Sequence, residues 1–383
     1  MKRSLLVFFC FVVLLAVSCK RDTLEKGDWN PVVREALQEL ISDCGSESEG
    51  YNPDCRPYAV FDFDNTTIIG DIEVETMAFQ IASLRFAIAP DKFYRTLLEC
   101  VPNIDAPLKG LDAVSARMLA TDLLNDYIFL HENYITPKGD NLKQIRQTPE
   151  YQDFRAKLWA LSAGVDATFG YETGCLWILR LLDGMSDDEI SGLARDAASA
   201  ALQQERIEDQ VWTSPDLGEA GVVEVPVSLG IGITPEMKDL YRALREAGID
   251  VYVCSASMEK VVATVACDPA FGLEVPRERV FGIRLQGGDY APGYPHTHHE
   301  GKVELIRKYI APHHGGAGPI LVAGDSEGDY NMLTEFDSMR VGLLLNCGRT
   351  DAFGKFVSTA QPPYFVQGRD KARKRFLPDD KIK

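Results

Sequence analysis

Two aspartates, Asp62 and Asp64, follow the apolar run Ala59 to Phe61 in the first fifth of the chain. Such a run is typical of a buried parallel strand, and ligands of open α/β sheets bind at the carboxyl ends of the strands. Residues i and i+2 of an extended segment face one side, so both carboxylates would point to the same place. One can stay ionised beside a metal while the other holds a proton near neutral pH. The pair suits a nucleophile and a general acid, although a D-x-D alone is also common in turns.

Three further polar motifs follow predicted strands or begin a predicted helix. Ser255 follows the apolar strand Val251 to Cys254, Lys302 lies near the start of a helix, and Asp325 and Asp329 lie in a Gly-Asp-Ser-Glu-Gly-Asp segment. Taken singly, each has an ordinary interpretation as a strand-end hydroxyl, a surface lysine or an Asx turn. Their order along the chain favours a single joint site.

Together the four motifs resemble those of the haloacid dehalogenase superfamily of phosphotransferases, over about residues 58–345. The resemblance implies an α/β fold, a Rossmann-like parallel sheet with an inserted α-helical cap of the C1 type. It also implies a phosphomonoester hydrolase that forms an aspartyl-phosphate on Asp62, with Asp64 as general acid and base. Members that dehalogenate or pump ions lack the second acid, so Asp64 favours hydrolysis.

The resemblance also assigns a cofactor and its contacts. A phosphomonoester is a dianion, so an attacking carboxylate must be screened from it by a divalent cation and fixed donors. Mg²⁺ prefers oxygen ligands, here Asp62, Asp325 and the main-chain carbonyl of Asp64. The remaining positions implied by the resemblance are Ser255 and Lys302 as phosphate-binding residues and Asp329 as the residue that orients Lys302 or a metal-bound water.

The residues after the first motif narrow the substrate. The segment from Asp62 through Asp71 and Glu73, with Val251 to Ser257, looks most like the bacterial phosphorylcholine phosphatases, which remove phosphate from choline phosphate and related amino-alcohol phosphates. Asp71 also matches an acidic position of the phosphoserine phosphatase branch that meets the substrate's ammonium group. We therefore expect Asp71 and Glu73 to recognise the substrate.

A quaternary ammonium group also needs aromatic faces, which residues of the cap could supply. The candidates for that role are Trp159, Trp177 and Trp212, with Glu75 as a further carboxylate. The alternative is structural: the acids could cap a helix that begins near Ile72, and each tryptophan could belong to a core. The histidines between His296 and His299 lack the i,i+4 spacing of a zinc pair, and we interpret them as loop residues.

Two other functions remain open. The enzyme could hydrolyse phosphoserine or act as a broad-specificity scavenging phosphatase. From a different class, the chain could be a catalytically inactive surface lipoprotein that binds a phosphorylated ligand. The net charge of −17 argues against a nucleic-acid partner, and we predict no protein partner.

The first 19 residues predict export. Lys2 and Arg3 precede an apolar run from Leu5 to Val17, which is too short to span a bilayer comfortably. The segment ends in Ala-Val-Ser-Cys19, which resembles the processing box of bacterial lipoproteins. We expect a lipid anchor on Cys19 that holds the chain at a membrane of the bacterial cell envelope. Ordinary signal-peptide cleavage without a lipid is the alternative.

The order of predicted elements gives the domain organisation. An export signal and a tether precede an α/β core, and the helical cap is inserted into this core. A basic tail follows, which we interpret as a solvated helix or as a contact with the acidic body of the protein. The predicted ranges are 1–19 for the signal, 20–50 for the tether, 51–71 and 230–368 for the core, 72–229 for the cap and 369–383 for the tail.

Overall fold

A six-stranded parallel sheet carries three of the four motifs at its strand ends, and Lys302 lies in a helix. The structure is a computed structural model that describes residues 23–137, 139 and 141–383, so the export signal and Cys19 lie outside the described residues. The strands of this sheet are β1 (Tyr58–Phe61), β4 (Asp250–Met258), β5 (Val280–Ile283), β8 (Leu321–Gly324), β9 (Val341–Leu345) and β10 (Tyr364–Gln367). The short remaining strands are β2 (Glu208–Thr213), β3 (Glu224–Leu229), β6 (Leu285–Gln286), β7 (Asp289–Tyr290), β11 (Arg369–Asp370) and β12 (Arg375–Phe376).

The strand order places the first motif at the centre of the sheet. The order is β10-β9-β8-β1-β4-β5, so the chain passes from β1 to β4 and β5 on one side and then crosses back to β8 on the other side of β1. Phe61, the last residue of β1, lies opposite both Val253 and Ala323. The carboxyl ends of three strands therefore meet at a topological switch point, where open α/β sheets bind ligands.

The side chains of β1 are buried on both faces of the sheet. Ala59 and Phe61 belong to one buried cluster and Tyr58 and Val60 to another, because successive side chains of a strand point to opposite faces. The helices are α1 (Pro31–Cys44), α2 (Ile72–Ser83), α3 (Pro90–Leu98), α4 (Ala116–Leu130), α5 (Leu142–Ile145), α6 (Pro149–Phe169), α7 (Tyr171–Arg180), α8 (Asp187–Gln203), α9 (Pro235–Glu246), α10 (Glu259–Cys267), α11 (Glu300–Leu305), α12 (Tyr330–Thr334) and α13 (Ala352–Ser358). Among the described residues, none of these helices has the length and apolar character needed to cross a membrane.

The segment between β1 and α9 has a second buried core. Helices α3, α4 and α6 enclose stacked rings of Phe93, Tyr127 and Phe154. Two features add to the prediction of a mostly helical cap over 72–229. Strands β2 and β3 pair as an antiparallel hairpin, whose mostly exposed β2 gave no alternating apolar signal. Helix α8 packs on α2 and α10 and shares its buried side chains with the core of the sheet.

Both ends of the described chain pack against the sheet, which differs from the prediction of a tether at one end and from the interpretation of the basic tail as a solvated helix at the other. Helix α1 buries Val33 and Leu37 in the core of the sheet, so residues 31–44 of the predicted tether are part of the folded domain. The predicted tail forms β11 and β12, in which Arg369 and Asp370 are buried. Amphipathic spacing indicated the first helix, but a sequence does not show which surface an apolar stripe covers.

Candidate active site

The loop after β1 is held by hydrogen bonds at several points. The backbone N–H of Asp62 donates to the carbonyl of Ala323 in the neighbouring strand at 3.0 Å. The Thr67 hydroxyl donates to the carbonyl of Asp62 at 2.6 Å, and the N–H of Asn65 donates to the carbonyl of Gly70 at 2.9 Å. Gly70 has a φ of +93°, and a Cβ there would lie 2.5 Å from a backbone oxygen, so glycine is required. The loop fixes Asp62 at the strand end.

Lys302 joins two of the predicted carboxylates. Its ammonium group donates to Asp62 Oδ1 and to Asp329 Oδ1, both at 2.7 Å. The side chain is 1% exposed, so this lysine is not the surface residue that its type alone suggests. Burial lowers the pKa of Lys302, but Asp329 and Asp62 outweigh burial and hold the pKa above its ordinary value. The ammonium group is therefore a permanent positive charge beside Asp62.

Asp62, Asp325 and Asp329 form a buried acidic group whose nearest oxygens lie within 4.8 Å of one another. Burial and the charge of Asp329 raise the pKa of Asp62 to about 7, although Lys302 lowers it. Burial and Asp329 also raise the pKa of Asp325. Three carboxylates thus face one ammonium group, and the charge that is left over matches a divalent cation.

The hydrogen bonds of the group indicate which carboxylates could hold such a cation. Asp329 Oδ2 accepts from the N–H groups of Asp325 and Ser326 at 2.9 and 3.1 Å, and its Oδ1 accepts from Lys302. Both oxygens of Asp329 are therefore occupied within the protein. Asp325 is held by longer contacts, 3.3 Å from the Thr66 hydroxyl and 3.4 Å from Arg349. Oxygens of Asp62 and Asp325 are thus the better candidates for Mg²⁺ ligands, and the predicted binding of the ion by these residues and the Asp64 carbonyl stays a prediction.

Asp64 lies in a different environment from Asp62. Its Oδ1 accepts from the N–H of Ile72 at 2.7 Å, and its Oδ2 accepts from the Ser257 hydroxyl at 2.7 Å. Burial, followed by the charge of Asp71, raises its pKa well above the ordinary value despite these hydrogen bonds. Burial thus favours the protonated form of the Asp64 carboxyl group, which is the form that a general acid requires.

The two serines at the end of β4 lie beside Asp64. The Ser255 hydroxyl is 3.5 Å from Asp64 Oδ2 and accepts a hydrogen bond from the N–H of Ser257 at 3.1 Å. Ser255 is buried at the strand end, and its contact with phosphate stays a prediction. The sequence analysis did not assign Ser257, which makes the shorter contact with Asp64. Its i+2 spacing from Ser255 in an extended segment was the available signal.

The acids at the start of α2 have structural contacts. Asp71 is the N-cap of α2, with its Oδ1 accepting from the N–H groups of Glu73 and Val74 at 2.9 Å. Glu73 accepts from the N–H of Met258 at 2.8 Å, and Glu75 accepts from the N–H of Gly230. Burial and the charge of Asp71 raise the pKa of Glu73 to about 8. Asp71 therefore caps the helix, while Glu73 is a buried acid next to the end of β4.

The tryptophans proposed as aromatic faces belong to the core of the cap. Trp177 is fully buried, and its indole N–H donates to the carbonyl of Leu97. Trp159 and Trp212 contact each other edge to face at 5.2 Å. These contacts favour the structural interpretation, in which each tryptophan is a core residue.

Two tyrosines, one in α7 and one in β7, lie nearer to Glu73. Burial and then the charge of Glu73 raise the pKa of the Cys175 thiol in α7, which places this helix beside Glu73. Tyr171, the first residue of α7, stacks on His298 at 4.5 Å between ring centres. The Tyr290 hydroxyl donates to the carbonyl of Glu172 at 2.9 Å. Helix α7 and the histidine loop thus meet next to the catalytic residues.

Comparisons with known proteins agree with this arrangement. Residues 196–334, which include the last three motifs, match the family described as haloacid dehalogenase-like hydrolase. A stretch of 46 residues is 46% identical to phosphorylcholine phosphatase from Pseudomonas aeruginosa; the match covers 12% of this chain and only 13% of that protein. The chain is also similar to the crystal structure of a conserved, functionally unknown protein from Anaerococcus prevotii, with a TM-score of 0.86 and 30% identity. That match covers 95% of this chain and 99% of the other, so the similarity includes the cap.

Proposed function

The chain belongs to the haloacid dehalogenase-like hydrolases, and we propose that it is a Mg²⁺-dependent phosphomonoesterase for small amino-alcohol phosphates such as choline phosphate. The observation that carries the proposal is that two carboxyl groups, two residues apart in sequence, have different hydrogen-bond partners. Asp62 accepts a hydrogen bond from the Lys302 ammonium group, whereas Asp64 accepts from the N–H of Ile72 and from the Ser257 hydroxyl, and burial and Asp71 raise its pKa. This is the division between nucleophile and general acid that phosphoryl transfer through a carboxylate needs.

The proposed reaction has two steps. An oxygen of Asp62 attacks phosphorus while the bond from phosphorus to the leaving oxygen breaks, and Asp64 gives its proton to the leaving alkoxide. In the second step Asp64 takes a proton from a water molecule that attacks the phosphorus of the aspartyl-phosphate. The bond to Asp62 breaks, and phosphate and the free carboxylate are regenerated.

Fixed charges stabilise the phosphoryl group in both steps. Lys302 is held in place by Asp329, so its charge needs no reorganisation when the phosphate dianion binds. Asp62 and Asp325 would hold the Mg²⁺ ion, whose charge offsets that of the nucleophile and the phosphoryl oxygens. Ser255 would donate its hydroxyl to a phosphoryl oxygen from the end of β4.

The substrate class rests on the surroundings of Glu73. Glu73 accepts from Met258 at the end of β4, next to Ser257, which contacts Asp64. A cationic head group beside the Glu73 carboxyl group would favour its ionised form. Tyr171 and Tyr290 lie on the neighbouring elements and supply the aromatic rings that ammonium groups bind. The partial similarity to phosphorylcholine phosphatase supports the same class. Export to the cell envelope with a lipid on Cys19 is part of the proposal.

The test is the specificity constant for choline phosphate, ethanolamine phosphate, phosphoserine and glycerol phosphate, measured with Mg²⁺ on the same preparation. We expect choline phosphate to exceed glycerol phosphate by about tenfold or more, which corresponds to about 1.4 kcal/mol. Glu73→Gln should reduce that ratio and leave the rate on glycerol phosphate nearly unchanged. Glu205→Gln, at an exposed position, is the matched control.

Each other outcome identifies an alternative. Equal rates on all four esters would indicate a scavenging phosphatase, and a preference for phosphoserine would indicate an amino-acid phosphate as substrate. No turnover of any ester, with binding retained, would indicate a ligand-binding protein and overturn the proposal.

A further inference from the structure

A buried arginine from the end of the chain contacts the loop that carries the nucleophile. Arg369 Nη1 donates to the backbone carbonyl of Asn65 at 2.7 Å, and Nη2 donates to the Asn65 side-chain oxygen at 3.2 Å. Arg369 is 4% exposed and lies 304 residues from Asn65 in sequence. The guanidinium group therefore holds both the main chain and the side chain of one loop residue.

The backbone conformation of Asn65 determines where the side chains on either side of it lie. Asn65 lies between Asp64 and Thr66 and has a φ of +57°, a left-handed conformation that few residues other than glycine adopt. This residue turns the chain so that Asp64 contacts β4 while Thr66 contacts Asp325. A small rotation at Asn65 would move Asp64 and Thr66 relative to each other.

The backbone of Arg369 is itself fixed from two sides. Arg369 pairs with Phe376 across the β11–β12 hairpin. Its N–H donates to the carbonyl of Lys381 at 2.9 Å, and its carbonyl accepts from the N–H of Lys383 at 3.1 Å. The last residues of the chain thus form a rigid support for the guanidinium group.

The charge of Arg369 also acts on the acidic group. Arg369 and Arg349 both lower the pKa of Asp325, against the larger effects of burial and of Asp329. Arg349 reaches Asp325 directly, with its Nε donating to the backbone carbonyl at 2.9 Å. Two arginines that follow the four motifs in sequence therefore support two of the loops that form the site.

We infer that Arg369 is a positioning residue, which holds the nucleophile loop at Asn65 in the geometry needed for phosphoryl transfer. The guanidinium group donates to the two oxygens of Asn65 from two nitrogens in a fixed planar arrangement, which the single nitrogen of a lysine does not reproduce. A lysine would keep the charge and lose the second bond. The segment from β11 to the end of the chain is accordingly part of the catalytic unit.

The test compares Arg369→Lys with Arg375→Lys in the full chain. Arg375 lies in the same hairpin and is exposed, so it controls for changes to the hairpin. We expect Arg369→Lys to lower kcat by about 10- to 100-fold with little change in KM, because a small misplacement of a nucleophile has effects of that size. Hydrogen exchange of the backbone amides of residues 62–70 should become faster, without Mg²⁺ or substrate present.

The kinetic result rests on the proposed phosphatase activity, whereas the exchange result does not. If the wild-type chain hydrolyses no phosphate ester, faster exchange at 62–70 in Arg369→Lys alone would still support the inference. The inference fails if exchange changes only within residues 364–383, or if Arg369→Lys behaves like Arg375→Lys in both measurements. Arg369→Gln, which removes the charge as well, should have the larger effect on both.

Discussion

Two buried clusters of this chain have the same composition, three aspartates around one lysine, and differ in how their carboxylates are satisfied. The catalytic cluster consists of Asp62, Asp325, Asp329 and Lys302. The cap cluster lies between α4 and α6 and consists of Asp122, Asp126, Asp153 and Lys157. Both lysines are at most 1% exposed.

The cap cluster is partly neutralised from within. Lys157 pairs with Asp122 at 2.8 Å and with Asp153 at 2.9 Å. Asp122 also accepts from the N–H groups of Glu219 and Ala220 at 2.7 and 2.9 Å. Burial and the charge of Asp153 raise the pKa of Asp126 to about 9, so this carboxyl group is protonated at neutral pH. Two carboxylates and one lysine therefore leave one negative charge, on a cluster in which two backbone N–H groups also donate to Asp122.

The catalytic cluster lies on loops at strand ends, where side chains approach from several directions and one neighbour, α7, belongs to the cap. The cap cluster lies on the sides of two helices that already pack against each other. Composition and burial therefore do not distinguish the clusters, and the position in the fold does. A buried acidic cluster becomes a candidate site where the backbone leaves its oxygens facing a place that a ligand can enter.

The largest expected difference between the clusters is in turnover. Asp62→Asn should lower phosphate release from an aryl phosphate, measured with Mg²⁺, by roughly 10⁴-fold or more, because the nucleophile is lost. Asp126→Asn, the same change in the cap cluster, should leave the rate within about twofold of the wild type. A substantial rate in Asp62→Asn would show that Asp62 is not the nucleophile.

The second difference is in stability. Lys157→Met removes the cation from the cap cluster and should lower the free energy of unfolding by about 3–5 kcal/mol, because it leaves buried carboxylates unpaired. Denaturant titration measures this change, and the rate of the folded variant should stay close to that of the wild type. Lys302→Met, the matched change in the catalytic cluster, should instead abolish turnover. If Lys157→Met unfolds at the wild-type denaturant concentration, the cap cluster is not an ion-pair network.

The contrast also shows how much the sequence could predict. The sequence pointed to Asp62, Lys302 and Asp325 through the order of the four motifs along the chain and their resemblance to the superfamily, because each motif taken singly has an ordinary interpretation. It did not identify Arg369, whose partner Asn65 lies 304 residues away, because no local pattern records a contact at that separation. The α/β fold could be predicted from alternating elements, since periodicity is a local property.

Two other features of the structure could not be predicted because they also depend on contacts between distant parts of the chain. The pattern from Val32 to Ile41 indicated a helix, but not that α1 buries its apolar side in the core. Asp71 had two interpretations from the sequence, and only the hydrogen bonds at the start of α2 identify it as the N-cap. Long-range packing and the choice between a cap and a ligand contact depend on three-dimensional neighbours, which spacing does not give.

The third expected difference is in metal binding. Mg²⁺ at about 100 times its dissociation constant should stabilise the wild type by about 2.7 kcal/mol, because it binds only the folded chain. Asp325→Asn should lose most of that stabilisation, whereas Asp126→Asn should keep all of it. Thermal unfolding with and without Mg²⁺ measures the shift for each protein. An equal shift in Asp325→Asn would place the ion elsewhere.

The smallest expected difference is the pH dependence that Asp126 contributes. The unfolded chain loses this proton near the ordinary pKa of 3.8, and the folded chain keeps it to about 9, so stability is highest below the lower pKa and falls as the pH rises. Between pH 6 and pH 7 the loss is about 1.4 kcal/mol. Asp126→Asn is neutral at both values, so its stability relative to the wild type should rise by that amount. Acids of the catalytic cluster titrate alike in the wild type and in Asp126→Asn, so their contribution cancels in the difference between the two free energies of unfolding. If the two free energies of unfolding change equally with pH, Asp126 is ionised in the folded chain.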